Sequence, residues 1–200
     1  MKQDFKEHQF WEWFRQNEEM LFSFERNQEQ VFDLLNRALA HVSPDLTFEF
    51  GPVEKGARDF VISAGGIKSA FPMVEALVAA APAMPRWDII KFRPRRNPIM
   101  ELTYADKTVK PQDVDFCLLS NGRELGVHLF FSEYSQEEEQ KWGQIGYLLL
   151  DEALGEYDVE TKIGPIKFFH VNEHLDRERY PLPMLPEMFD AHFASLERRH

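Results

Sequence analysis

From Val114 to Gly155 the chain reads VDFCLLS, NG, RELGVHLFF and then a helical run opening at Ser135. That is a hairpin feeding a helix. Val114, Phe116 and Leu118 recur every second residue, as do Leu125, Val127, Leu129 and Phe131, the period of half-buried strands. Asn121–Gly122 between them tolerates the positive φ of a tight hairpin turn. Ser135 and Glu138 have capping-box spacing, Trp142, Ile145, Leu148, Leu149 and Ala153 share one helix face, and Gly155 stands where a helix stops. Gly143 and Gly146 each weaken a helix by about 1 kcal/mol relative to Ala, so their spacing of three predicts the close approach of another element. YDVETKI and IKFFHV read as a closing strand pair turned at Gly164–Pro165.

A fainter copy of this plan lies upstream. Leu46, Phe48 and Phe50 alternate, GPVEKGAR forms a loop, and DFVIS returns. Gly65–Gly66 turns the chain into a helix carrying Phe71, Val74, Leu77, Val78 and Ala81, with Pro72 tolerable in its first turn. The glycine pair lacks the spacing of a phosphate-binding loop and reads as a plain turn. WDIIKF and PIMELTY follow as strands. DFVIS at 59–63 matches HLFFS at 128–132, and WDII at 87–90 matches YDVE at 157–160, both at an offset of about 70 residues.

The expected fold is therefore α+β. Two ββαββ pseudo-repeats, ferredoxin-like in plan, form a mainly antiparallel sheet covered by helices. The expected organisation is a single domain: a helical hairpin over 1–44, halves over 45–110 and 111–172, and a tail over 173–200 ending in a helix. In the first helix Phe10, Trp13, Phe14, Met20, Leu21 and Phe24 form an aromatic stripe, with Trp11 partly off it. Core packing and docking of a partner helix both account for that stripe. In the second helix, Asn27 and Gln30 make a capping-box-like pair ahead of Val31, Phe32, Leu34, Leu35, Ala38, Leu39 and Val42. The terminal helix, built on Leu185, Met188, Phe189, His192 or Phe193, and Leu196, packs on the sheet or meets a second copy, so a homo-oligomer is one possible assembly.

With 34 acidic against 23 basic residues the net charge is −11, a field that repels nucleic acid and anionic membranes and favours a basic protein partner or plain solubility. One cysteine excludes an intramolecular disulfide. No signal peptide is legible, and no run reaches the roughly 18 apolar residues of a membrane span. A cytoplasmic protein is expected, without cofactor or metal.

Strand parity gives one candidate catalytic group. If Phe116 and Val127 face the helices, Asp115, Cys117, Glu124, Gly126 and His128 face the other way, and Glu101 and Thr103 could join them from a neighbouring strand. An acid, a thiol and an imidazole on one face are the ingredients of nucleophilic or metal chemistry. Binary patterning of a solvent-facing strand surface accounts for them equally, and Cys117 lacks a flanking nucleophile motif. His170, His174 and His192 lie in other elements. Arg93, Arg95 and Arg96 form the densest basic spot, suited to gripping a carboxylate or phosphate, or to pairing with neighbouring acids. Asp151, Glu152, Glu156 and Asp158 cluster near Gly155 without calcium-loop spacing.

The run LLLDEALGEYDVETKIGPIKF, an apolar helix closing in LGE and followed by strand, Gly and strand, resembles the C-terminal part of uncharacterised bacterial domains of unknown function. The resemblance implies a small bacterial cytoplasmic α+β protein and carries over no active-site residue. The missing catalytic signature and the acidic surface point to a non-enzymatic protein-binding or regulatory module, of which an acidic inhibitor or immunity-type protein is one form. The alternatives are a hydrolase or transferase built around His128, and a small-molecule sensor at the seam of the two halves.

Overall fold

The computed structural model of the chain describes residues 4–120, 125–173 and 177–197; the Asn121–Gly122 turn, Glu124 and His174 lie outside them. The chain forms two compact units, Met1–Arg93 and Pro94–His200. Seven α-helices and nine strands among the described residues make it α+β.

The first unit opens with α1 (Asp4–Gln16), α2 (Glu18–Phe22) and α3 (Gln28–Val42). The long first helix expected from its stripe is broken at Asn17, whose Nδ2 donates to the Trp13 carbonyl at 2.8 Å, a side-chain bond that competes with the helix ladder. Asn27 and Gln30 bond to each other through their side chains, and Asn27 caps no backbone group. Strands β1 (Thr47–Glu54) and β2 (Ala57–Ser63) pair antiparallel around a tight turn at Lys55–Gly56, both at positive φ. Helix α4 (Phe71–Ala79) then crosses over, so β3 (Trp87–Lys91) returns parallel to β2. Phe48, Phe50, Phe60, Ile62 and Trp87 face the helices; Phe14 and Phe60 stack at 4.9 Å between ring centres. Trp11 is buried rather than off the stripe, because α4 covers that side of α1 and the Leu77 carbonyl accepts its Nε1–H at 2.8 Å. Arg58 is buried on the same sheet face, donating to Glu25 at 2.5 Å and to the Gly51 carbonyl at 3.0 Å, with Phe24 under its guanidinium.

The second unit begins with a two-stranded ribbon, β4 (Leu102–Tyr104) and β5 (Lys107–Val109), turned at Ala105–Asp106. PIMELTY is thus not a sheet strand of the first unit; only its last three residues are extended, and they pair forward. Then come β6 (Asp115–Ser120), β7 (Leu125–Phe131), α5 (Glu139–Leu154), α6 (Glu156–Lys162), β8 (Ile163–His170), β9 (Tyr180–Pro181) and α7 (Leu185–Glu197). The sheet order is β8-β7-β6-β9, with β8 parallel to β7 and the other pairs antiparallel.

Both units therefore contain a hairpin, a helical crossover and a strand parallel to the second hairpin strand, a ββαβ run rather than the ferredoxin-like ββαββ expected. The match of WDII with YDVE fails, since the first lies in β3 and the second in α6. Tyr157, Val159 and Thr161 alternate like a strand. Glu156 and Asp158, however, sit in a first helical turn, where carboxylates meet the positive end of the helix dipole, and Val159 is buried in the core. Gly155, at φ 82°, separates α6 from α5. Gly164–Pro165 is not a turn. It lies within edge strand β8, where the register against β7 shifts and proline is tolerated. The capping box at Ser135 does not form either: a 3₁₀ turn over Gln136–Glu138 precedes α5, and Glu138 accepts from Lys141 at 2.7 Å instead.

Candidate functional site

Cys117 and His128 are directly opposed in the β6–β7 ladder, with Asp115 against Phe130 one pair along the same face. Lys167 and Phe169 of β8 extend that face beside His128 and Phe130. The other face, with Phe116, Val127, Leu129 and Phe131, packs on α5. Parity thus brings Asp115, Cys117 and His128 together as expected. It does not bring Glu101, which stands exposed ahead of the ribbon on the α5 side, with Leu102 and Val109 in the core there. Thr103 is held in the ribbon by Thr108, 3.1 Å away.

The face is less open than its polar residues suggest: Asp115 and His128 are half-buried, and only Lys167 is exposed among the residues named on it. Cys117 is 1% exposed and Phe130 fully buried. Phe169 stacks on Phe130 at 5.5 Å and lies 5.0 Å from the His128 ring. Arg179 lies 3.7 Å above Phe130, held by the Val171 carbonyl at 2.7 Å and by the Glu173 carbonyl. Burial pushes the Cys117 thiol above its usual pKa, against the pull of Arg177 and Arg179. Burial likewise lowers the His128 pKa, reinforced by Lys167 and Arg177, and its Nδ1 is buried without a partner among the described residues. The thiol is less acidic and the imidazole less basic than usual, the reverse of an activated nucleophile–base pair.

The three arginines are each engaged. Arg93 pairs with Glu49 in the first unit. In the second, Arg95 donates to Asp158 at 2.7 Å, to both Asp190 oxygens at 2.8 and 2.9 Å, and to the Leu154 carbonyl at 2.7 Å. Arg96 pairs with Glu152 at 2.9 Å and donates its backbone N–H to the Glu152 carbonyl. The acidic cluster near Gly155 thus seats Arg95 and Arg96, and no group of three or more metal-ligating side chains is assembled among the described residues.

The open apolar surface lies elsewhere. Along the first unit's α1–α3 pair runs a groove of about 400 Å³, floored by Phe10, Trp13, Leu34 and Ala38 and rimmed by Lys6, Arg37 and His41. Positions 6, 9/10 and 13 on α1, and 34, 37/38 and 41 on α3, are the i, i+3/i+4, i+7 sets of two facing helices. Comparison with protein-family models, curated proteins and solved structures finds no match. No helix among the described residues is long and apolar enough to cross a membrane.

Strand parity was enough to put Cys117 and His128 on one face; their direct opposition comes from the β6–β7 register. The groove rim was missed: Lys6, Arg37 and His41 were unremarkable polar positions until α1 and α3 met along these faces.

Proposed function

We propose that the protein is a non-enzymatic binding module whose α1–α3 groove docks an amphipathic helix of a protein partner. The observation that carries this reading is the groove itself, an apolar floor between two helices with cations on its rim. Its volume falls within the roughly 300–1,000 Å³ of sites that hold ligands, enough for the anchoring side chains of a helix laid into it. Phe10 is part of the core, whereas Trp13, Leu34 and Ala38 are only half-buried, so the floor retains apolar surface that a partner can cover. No carboxylate lines the groove among the described residues, although residues 1–93 carry fourteen acids against eleven bases. The matching helix therefore bears carboxylates beside its apolar stripe. The net charge alone pointed to a basic partner; the local charge of the groove favours an acidic one. Such rim charges set encounter rate and register more than affinity. The damped thiol and imidazole of the Cys117–His128 face are consistent with binding rather than hydrolysis or group transfer.

A synthetic amphipathic peptide with leucines at i, i+3 and i+7 and flanking glutamates tests the proposal by fluorescence anisotropy with the full chain. It should bind saturably and more weakly as salt rises, and Arg37→Glu, at an exposed position, should weaken it by about tenfold. Equal binding of a lysine-flanked peptide, or no binding of the glutamate-flanked one, would overturn it.

A further inference from the structure

The charged or titratable residues lining the α1–α3 groove, among the described residues, are Lys6 from α1 and Arg37 and His41 from α3. Lysine and arginine side chains keep their charge near neutral pH, whereas a histidine changes its charge between about pH 5 and pH 8. The rim therefore carries two fixed cations and one variable one. No carboxylate of the groove lining is there to pair with the variable one.

His41 stands exposed in the last turn of α3, with Nδ1 2.7 Å from the Arg37 carbonyl. A carbonyl oxygen only accepts, so Nδ1 carries the proton and donates it to that bond. The tautomer of the neutral ring is thereby fixed. Nε2 is then the nitrogen left for a partner, and in the neutral ring it holds a lone pair. An ionised carboxylate is acceptor-only and finds no donor there. Protonation turns Nε2 into a charged N–H donor while the Nδ1 bond stays in place. One proton thus converts this rim position from acceptor to donor.

On the reading of the groove as a docking site for an acidic helix, we infer that acid strengthens that docking, with His41 as the switch. A partner carboxylate bonds the Nε2–H of the His41 imidazolium, while Lys6 and Arg37 attract the acidic helix in both states of the ring. The complex then holds a proton that the free groove gives up as pH rises, so affinity rises as pH falls. His8, the other histidine of these two helices, is exposed and does not line the groove.

A rhodamine-labelled, glutamate-flanked peptide titrated with the full chain at about pH 7.5 and about pH 5.5, at constant ionic strength, tests the inference by fluorescence anisotropy. Glutamates, with an ordinary pKa of about 4.3, stay mostly charged across that range. Binding should tighten about threefold or more at the lower pH. That gain should vanish in His41→Gln and persist in His8→Gln. Both positions are exposed, so neither change should disturb the fold. Calorimetry near pH 6.5, in two buffers of different ionisation enthalpy, should show net proton uptake on binding that His41→Gln removes. Equal saturable binding at both pH values, a gain that persists in His41→Gln, or binding without proton uptake would overturn the inference and leave the groove standing. No binding at either pH would overturn the groove reading itself, and the inference with it.

Discussion

The Phe168 ring fills the space that a side chain at Gly146 would need: a Cβ there would lie 2.1 Å from Phe168 Cε1. Helix α5 thus meets β8 through a glycine, and the neighbouring Gly143 lies against the same ring with a Cβ distance of 3.7 Å, an ordinary contact. The spacing of these two glycines predicts such an approach. Their roles now separate.

Gly146→Ala should destabilise the protein by about 1–3 kcal/mol, because the half-buried Phe168 must move and overpacking outweighs the gain in helix propensity. Gly143→Ala should be neutral or stabilising by up to about 1 kcal/mol. Urea unfolding of the two variants checks the pair, and equal effects would contradict the packing account.

Arg95 acts as a strut within the second unit. It joins the segment after Pro94 to the end of α5, to α6 and to α7, with Phe189 beneath it at 5.3 Å. Arg95→Ala should cost about 1–3 kcal/mol, a figure already discounted for its partial exposure, and Arg95→Lys should recover only part because an ammonium lacks the planar fork. Thermal unfolding measures this. An unchanged Arg95→Ala variant would mean that the ion pairs contribute nothing.

The His128 pKa is lowered in the folded state by burial, so the unfolded chain binds the proton more readily. Its contribution to stability is present above the unfolded value of about 6.5 and is lost as pH falls below it toward the folded value. Urea midpoints measured between about pH 7.5 and pH 5.5 should fall with acid, and less steeply in His128→Gln. Identical slopes for the two proteins would remove His128 from the account.

Cys117 combines 1% exposure with a raised thiol pKa. A chromogenic disulfide should react with it orders of magnitude more slowly in the native protein than in the denatured one. Rapid, stoichiometric native labelling would show an activated thiolate and revive the hydrolase or transferase reading.

Much of the fold was legible because its core elements are long and periodic. Trp142, Ile145 and Leu149 define α5, and the parity of Phe116 and Val127 gives the two sheet faces. Helix α6 was not legible, since seven residues with Tyr157, Val159 and Thr161 in alternation satisfy a strand period as well as a helical one. Cys117 is buried and His128 half-buried on a face whose polar residues suggest open solvent. Phe169, beside them on the same face, and Arg179, over Phe130, arrive from distant sequence, and nothing local to β6 or β7 announces them.

The central claim, an α1–α3 groove for an acidic amphipathic helix, is tested most directly by backbone amide shift mapping. On titration with the glutamate-flanked peptide, perturbations should concentrate at Lys6–Trp13 and Leu34–His41 and disappear in Arg37→Glu. Shifts centred elsewhere, or undiminished in that variant, would contradict it.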